Sequence, residues 1–203
     1  MAVSPVIPVV VIEKLEHAVP MARALHEGGV DIIELTLRSE VALAAIEAIA
    51  GEVPDVVIGA GTVLTREDAQ KSLDAGARFL VSPGSPAGLL DAASDWSVPW
   101  LPGVSTATEA MTVADAGYTE MKFFPAETSG GAPALGALAG PLPHLTFCPT
   151  GGISTANATD YLTLSNVACV GGSWLTPKAA LAAGDWNAVT ELARAAVSLR
   201  SAV

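Results

Sequence analysis

Residues 31–51 read DIIELTLRSEVALAAIEAIAG and contain one complete strand-and-helix unit. The apolar run Asp31–Leu37 includes several β-branched residues and predicts a buried strand. Ser39 is a suitable N-cap for the alanine-rich stretch that follows, and Gly51 suits the left-handed position at which helices end. A buried strand followed directly by a helix is the repeating unit of parallel α/β folds.

This unit recurs along the chain with a period of about 23–25 residues. Eight apolar runs are strand candidates, and several are continuous, which is typical of parallel strands that are covered on both faces. They are Val6–Ile12, Asp31–Leu37, Val56–Ala60, Arg78–Ser82, Val98–Leu101, Glu120–Phe124, Leu145–Pro149 and Val167–Val170. Thr65 and Thr106 each begin a capping box, in which a hydroxyl and a carboxylate satisfy the first N–H groups of a helix.

Eight such units in a chain of 203 residues favour a closed barrel over an open sheet. We therefore expect an α/β fold, a (β/α)8 TIM barrel, as one domain that spans residues 1–203. In barrels of this kind the residues that act on the substrate lie at the carboxyl ends of the strands.

Composition and charge exclude several classes of partner. A net charge of −11 argues against nucleic acid and against anionic membrane surfaces, since both bind basic faces. No apolar run reaches the roughly 18 residues that a membrane span needs. The run Met1–Glu13 lacks a basic start, so a buried first strand explains it better than a signal peptide. A small anionic substrate stays compatible, because a few local donors can hold one phosphate.

Cysteine and histidine usage points to neither disulfides nor metal. Cys148 and Cys169 both lie in strand-like runs, and we expect two buried free thiols and hence a cytoplasmic protein. The three histidines are not spaced as ligands of one metal ion. We therefore expect no metal and no cofactor.

Lys122 is unusual for its position, in the sequence TEMKFFPA of residues 119–126. Lysine is depleted in strands and is rarely buried. Since side chains alternate along a strand, Lys122 and Phe124 share one face. If that face is the barrel interior, desolvation disfavours the ammonium form, and a neutral amine is what condenses with a ketone to form a Schiff base. The alternative is a lysine at the strand end whose amine reaches water.

A second unusual group is formed by Glu34, Thr36 and Arg38, which share one face of the second strand candidate. The carboxylate is suited to moving protons, and the planar guanidinium is suited to holding a substrate carboxylate. The alternative is an internal ion pair between Glu34 and Arg38, although burying such a pair often fails to offset its desolvation.

Glycine-rich turns follow three of the strand candidates. The segments 150–154, TGGIS, and 171–174, GGSW, stand where (β/α)8 barrels frequently bind phosphate through backbone N–H groups. In the second segment, Ser173 adds a hydroxyl donor. The third turn, GAGT at 59–62, ends in Thr62, which is either a donor to the substrate or a residue of the helix start.

These motifs together resemble the family of 2-keto-3-deoxy-6-phosphogluconate (KDPG) aldolases, whose members also act as 4-hydroxy-2-oxoglutarate aldolases. The resemblance covers nearly the whole chain, and the strings KFFPAE and FCPTGGI are its most specific parts. The motifs are LEHAVPM at 15–21, ELTLR at 34–38, GAGTVL at 59–64, KFFPAE at 122–127, FCPTGGI at 147–153 and GGSW at 171–174. Family members often carry a helix before the first strand, whereas this sequence starts almost directly with the strand.

The resemblance implies a class I aldolase that cleaves KDPG to pyruvate and glyceraldehyde 3-phosphate without a metal. Lys122 matches the Schiff-base lysine and Glu34 the general acid and base. The residues matched to substrate binding are Arg38 and Thr62 for the pyruvate end, Thr150 for a hydroxyl, Phe124 and Pro83 for the pocket walls, and Gly151, Gly152, Gly172 and Ser173 for phosphate. The implied partners are a small keto acid and a phosphorylated aldehyde, and the implied setting is a homotrimer in the Entner–Doudoroff route.

Two other functions fit parts of the pattern. A phosphate-binding barrel isomerase or epimerase would use acid–base groups without a covalent lysine. An assembly scaffold would keep Glu34, Arg38 and Lys122 but show no turnover. An adduct between Lys122 and pyruvate distinguishes the aldolase from the first alternative, and pyruvate release distinguishes it from the second.

Overall fold

The computed structural model describes residues 4–199. Within that range, parallel strands alternate with helices along the chain. The strands are β1 Val6–Val10, β2 Ile32–Thr36, β3 Val57–Gly61, β4 Leu80–Val81, β5 Trp100–Leu101, β6 Gly103–Val104, β7 Glu120–Phe123, β8 Thr146–Pro149 and β9 Val170–Gly172. The helices are α1 Ala18–Glu27, α2 Ala42–Glu52, α3 Arg66–Asp74, α4 Ala87–Ala93, α5 Ala107–Asp115, α6 Gly131–Ala137, α7 Ala158–Leu162, α8 Lys178–Ala183 and α9 Trp186–Ser198.

The strands follow one another around a barrel. Six pair in the order β5-β4-β3-β2-β1-β9, and three pair in the order β6-β7-β8. β5 and β6 are two parts of one barrel position, interrupted at Pro102, whose carbonyl accepts a hydrogen bond from the Lys122 N–H at 2.8 Å. A bridge between Thr150 and Gly171 joins the end of β8 to β9. The expected (β/α)8 TIM barrel is confirmed.

Burial explains why the strand runs are continuously apolar. All five residues of β2 are buried, because one face meets the helices and the other meets the barrel interior. Ile33 and Leu35 belong to the large core cluster shared with the helices. Ile32 instead packs in a second cluster with Cys148 and other residues from several strands, which lies inside the barrel. Side chains of the same parity as Ile32 therefore point inward.

The helix starts were predicted with mixed success. Thr65 and Thr106 both form complete capping boxes, as expected. Ser39 is not the N-cap of α2: its carbonyl accepts from the Ala42 N–H at 3.3 Å, while its hydroxyl has no partner among residues 4–199. The chain makes a turn at this point before the helix begins, so the expectation for Ser39 was wrong.

Some predicted boundaries also move. Gly51 lies inside the last turn of α2, because the helix continues to Glu52, and the N–H of the buried Val53 that follows bonds the Ile49 carbonyl at 2.9 Å. The predicted eighth strand covers Val167–Val170, whereas the observed strand, β9, covers Val170–Gly172. Val167 forms only a single bridge, because the regular pairing with β1 begins at Val170.

No helix within residues 4–199 combines the length and the apolar character required to cross a lipid bilayer.

Candidate active site

Lys122 and Glu34 meet inside the barrel. The Lys122 Nζ donates a hydrogen bond to the Glu34 Oε1 at 3.1 Å, and the two residues are only 5% and 3% exposed. They come from β7 and β2, which are not neighbours in either sheet. The amine therefore does not reach bulk water from the strand end, and Glu34 pairs with Lys122 rather than with Arg38.

The strand register explains why Lys122 points inward. Lys122 lies opposite Gly103 on β6 and Cys148 on β8. Its neighbours Met121 and Phe123 are buried in the large core cluster that the strands share with the helices. Since side chains alternate, Lys122 is left on the interior face.

Gly61 makes room for the Glu34 carboxylate. A Cβ placed on Gly61 would lie 2.2 Å from the Glu34 Oε1, closer than any real contact allows. Sequence reasoning did not identify Gly61 as part of the site. The available signal was a glycine inside a strand, which often marks the close approach of another group.

Phe124 lies near the amine, and Pro83 packs against the strand next to Lys122. The Phe124 ring is half-buried, and its centroid is 5.3 Å from the Lys122 Nζ. Pro83, also half-buried, packs closely against Gly103, since a Cβ there would lie 2.4 Å from the Pro83 carbonyl oxygen. Since Gly103 is the register partner of Lys122, Pro83 lies on the same side of the barrel as the amine.

Arg38 and Thr62 follow the ends of β2 and β3. Arg38 is exposed, and its Nε donates to the Thr36 Oγ1 at 3.1 Å. Thr62 has a φ of +62°, a left-handed conformation that costs a non-glycine residue about 1–2 kcal/mol. The Leu37 N–H bonds the Gly61 carbonyl at 2.8 Å, which holds the two strand ends together. Arg38 and Thr62 therefore follow two neighbouring strands at the carboxyl end of the barrel, just beyond the paired residues Thr36 and Gly61.

The two glycine turns lie side by side at this same end. Gly151 and Gly152 have φ values of +100° and +78°, which an L-amino acid side chain rarely tolerates. Thr150 is buried and bridged to Gly171 on β9. Gly172 ends β9, and Ser173 after it is exposed.

Backbone donors are available in both turns. Among residues 4–199, no backbone or side-chain acceptor is found for the N–H groups of Gly152 and Ser173. Backbone N–H groups exposed in a glycine turn form a concavity that suits an anion.

Glu127 and Tyr161 support the first turn, and sequence reasoning missed both. The Glu127 N–H donates to the Gly151 carbonyl at 3.1 Å, and the Glu127 carboxylate accepts from the hydroxyl of the buried Tyr161. Burial, together with this carboxylate, raises the pKa of Tyr161 above its ordinary value. The turn is therefore tied to the segment that follows β7 and to α7.

The two cysteines form no disulfide with each other, and the remaining question is whether metal-ligating side chains cluster. Cys148 and Cys169 are free and buried, as expected. A hydrogen bond with Cys148, together with burial, raises the pKa of the Cys169 thiol well above its ordinary value. Within the described part of the chain, no three or more His, Cys, Asp or Glu side chains come together as metal ligands.

Comparison with known proteins gives close sequence relatives. The family model "KDPG and KHG aldolase" matches residues 1–192. The KHG/KDPG aldolase of Escherichia coli K12 is 55% identical over 193 residues, which cover 95% of this chain and 91% of the relative. The 2-dehydro-3-deoxy-phosphogluconate aldolase of Dickeya dadantii is 55% identical over 194 residues, which cover 96% of this chain and 91% of the relative.

Solved structures agree with these relatives. The KDPG aldolase of Legionella pneumophila, with pyruvate captured at low pH as a covalent carbinolamine, superposes with a TM-score of 0.95 at 48% identity and covers 97% of this chain and 96% of its own. The Zymomonas mobilis ZM4 enzyme with 3-phosphoglycerate gives 0.92 at 43% identity, covering 98% and 93%. The resemblance seen in the motifs is confirmed, and the chain belongs to the KDPG and KHG aldolase family.

Proposed function

We propose that this chain is a Schiff-base aldolase, an aldehyde-lyase that cleaves KDPG to pyruvate and glyceraldehyde 3-phosphate. The same chemistry cleaves 4-hydroxy-2-oxoglutarate to pyruvate and glyoxylate. The observation that carries this proposal is the buried contact of 3.1 Å between the Lys122 amine and the Glu34 carboxylate. The carbinolamine of pyruvate held by the Legionella relative is the first intermediate of the same chemistry.

The reaction begins with loss of a proton from Lys122. Because its Nζ donates directly to Glu34, the carboxylate is placed to accept that proton. The neutral amine then adds to C2 of the keto acid and forms a carbinolamine. Glu34 returns its proton to the carbinolamine hydroxyl, which leaves as water and gives the iminium, the electron sink of the reaction.

Bond cleavage uses Glu34 a second time. Through one water molecule, its carboxylate removes the proton of the C4 hydroxyl as the C3–C4 bond breaks. The electron pair of that bond passes into the iminium and gives an enamine, while the aldehyde leaves. Through the same water, Glu34 gives that proton to C3, and addition of water to the resulting iminium releases pyruvate and restores Lys122. Acid–base assistance of this kind typically contributes about 10²- to 10⁴-fold in rate.

Substrate binding divides between the two sides of the site. We assign the pyruvate carboxylate and the neighbouring oxygen to Arg38 and Thr62, which follow β2 and β3. Thr150 contacts a substrate hydroxyl, and Phe124 and Pro83 form the pocket walls. The phosphate lies in the cradle of Gly151, Gly152, Gly172 and Ser173. The left-handed turn at 151–152 and the available N–H groups of Gly152 and Ser173 support this last assignment.

The setting of the enzyme is proposed on the family resemblance. We propose a cytoplasmic homotrimer that acts in the Entner–Doudoroff route. The buried free thiols Cys148 and Cys169 support a reducing compartment. Light scattering during gel filtration tests the trimer.

The direct test of the function is release of pyruvate from KDPG and from 4-hydroxy-2-oxoglutarate, measured with lactate dehydrogenase and NADH. Wild type is expected to turn over the substrate, and Lys122→Ala is expected to be inactive. Absence of pyruvate from both substrates would favour a scaffold. Full activity of Lys122→Ala on a phosphorylated sugar would favour an isomerase or epimerase.

A further inference from the structure

Thr36 is bonded on both sides of its hydroxyl. The residue is buried at 1% exposure on the interior face of β2, two residues beyond Glu34. Its Oγ1 donates to the Val10 carbonyl of β1 at 2.9 Å. The same oxygen accepts from the Nε of Arg38 at 3.1 Å.

The direction of both hydrogen bonds is fixed by chemistry. A carbonyl oxygen has no proton, so the bond to Val10 uses the single proton of the Thr36 hydroxyl. A guanidinium has no acceptor, so Arg38 can only donate to the remaining lone pairs of that oxygen. The Thr36 oxygen is thereby a pure acceptor toward Arg38, and its own orientation is held by the backbone of β1.

Arg38 differs in its surroundings from the arginines that form ion pairs. Arg23, Arg66 and Arg194 each pair with a carboxylate on the surface. Among residues 4–199, no carboxylate forms an ion pair with Arg38, although the chain is strongly acidic. The bond to Thr36 uses Nε alone and leaves both terminal amino groups free to form a two-pronged contact with an external carboxylate.

A single hydrogen bond matters at this position because Arg38 is exposed. A long free side chain loses rotamer freedom when it clamps a ligand, and holding it in place beforehand reduces that loss. The Leu37 N–H donates to the Gly61 carbonyl at 2.8 Å, which fixes the backbone next to Arg38. The backbone of this segment and the Nε of Arg38 are therefore both held in place, while the two terminal amino groups of Arg38 stay free to bind the substrate.

We propose that Thr36 is a positioning residue that holds the Arg38 guanidinium in place and thereby strengthens its binding of the substrate carboxylate. This inference rests on the proposed function, because it takes Arg38 as the carboxylate-binding group. Thr36 itself contacts no reacting atom. Its effect belongs to the pyruvate end of the site and is independent of the phosphate end.

The test compares Thr36→Val, which keeps the shape and removes the hydroxyl, with Thr36→Ser, which keeps the hydroxyl. For Thr36→Val, KM for KDPG and KM for 4-hydroxy-2-oxoglutarate should rise by the same factor, about 2- to 12-fold for the lost hydrogen bond to Arg38. kcat should stay within about 2-fold, and Thr36→Ser should restore the wild-type KM.

A second measurement isolates the carboxylate. Half-saturation of borohydride trapping by pyruvate, which carries no phosphate, should shift to higher concentration in Thr36→Val by the same factor. In an Arg38→Lys background, which lacks the Nε donor, Thr36→Val should have no further effect, since the two changes remove one interaction.

Several results would overturn the proposal. These are an unchanged KM in Thr36→Val, a KM increase confined to the phosphorylated substrate, or equal losses in Thr36→Val and Thr36→Ser that follow a lower melting temperature. Failure of the proposed function is a separate outcome, because wild type itself would then trap no pyruvate.

Discussion

The Nζ of Lys122 lies 3.1 Å from the Oε1 of Glu34, although 88 positions separate the two residues along the chain. Both side chains are almost completely buried. A buried ion pair stabilises a fold little, because its desolvation offsets the attraction. We propose that the pair is kept inside the barrel for proton transfer between the two groups.

Glu34→Gln should remove that transfer while keeping the shape of the side chain. We expect kcat for KDPG cleavage to fall by about 10²- to 10⁴-fold, measured by pyruvate release. Glu120→Gln is the matched control, since Glu120 begins the strand that carries Lys122 and lines a cavity with Ile7 and Ile32. A Glu34→Gln variant as active as this control would contradict the assigned role.

Gly61→Ala should displace the Glu34 carboxylate without changing any reacting group. The added Cβ would lie 2.2 Å from the Glu34 Oε1, so the carboxylate must move. A displacement of about 1 Å at a catalytic group can cost about 10²-fold in kcat. Gly88→Ala is the control, because a Cβ there meets nothing within 4 Å. Equal kcat values for the two variants would show that the position of Glu34 is not critical.

Gly151→Val tests the phosphate cradle. Gly151 has a φ of +100°, and a Cβ there would lie 3.2 Å from the Phe124 ring. We expect KM to rise more for KDPG than for 4-hydroxy-2-oxoglutarate, which carries no phosphate. Gly117→Val imposes comparable backbone strain at a φ of +94° in open space, and it should leave both KM values unchanged. Equal increases for both substrates in Gly151→Val would refute the assignment.

The Thr106 capping box predicts a pH dependence of stability. Hydrogen bonds from the Ser105 N–H, and from the Ser105 hydroxyl and Thr106, lower the pKa of the Glu109 carboxyl below its ordinary value of 4.5. A carboxyl with a lowered folded pKa stabilises the fold above its unfolded pKa, and that stability is lost as pH falls through the folded value. Wild type should therefore be more stable than Glu109→Gln at pH 7.

Urea unfolding of both proteins across the acid range measures this difference. The gap between the urea midpoints of wild type and Glu109→Gln should close as the pH falls below 4.5. A gap that widens toward low pH would mean that the charge of Glu109 does not stabilise the cap.

Most of the fold, and the residues that share a face on the strands that bear Glu34 and Lys122, could be predicted from local sequence patterns. Parity along β2 correctly predicted that Glu34 and Thr36 share a face, because side-chain alternation is a local property. The same rule put Lys122 and Phe124 on one face of their strand, and the structure shows that Lys122 points into the barrel.

Contacts across the barrel could not be predicted from the sequence alone. The partner of Glu34 is Lys122 and not the nearby Arg38, since closure of the sheet decides which strands face each other. The crowding of Gly61 against Glu34 depends on the same closure. Ser39 is not the cap because the chain turns before α2, and a local cap preference does not predict that turn.

The roles of the site residues and the single domain over 1–203 stay predictions. The ends 1–3 and 200–203 lie outside the described residues.

The most direct test of the mechanism is reductive trapping. The protein is incubated with pyruvate and sodium borohydride, digested, and analysed by peptide mass spectrometry, with Lys122→Ala as the control. Covalent catalysis predicts one pyruvate-derived group on Lys122 and none in the variant. An unmodified Lys122 in a protein that still releases pyruvate from KDPG would contradict the Schiff-base mechanism.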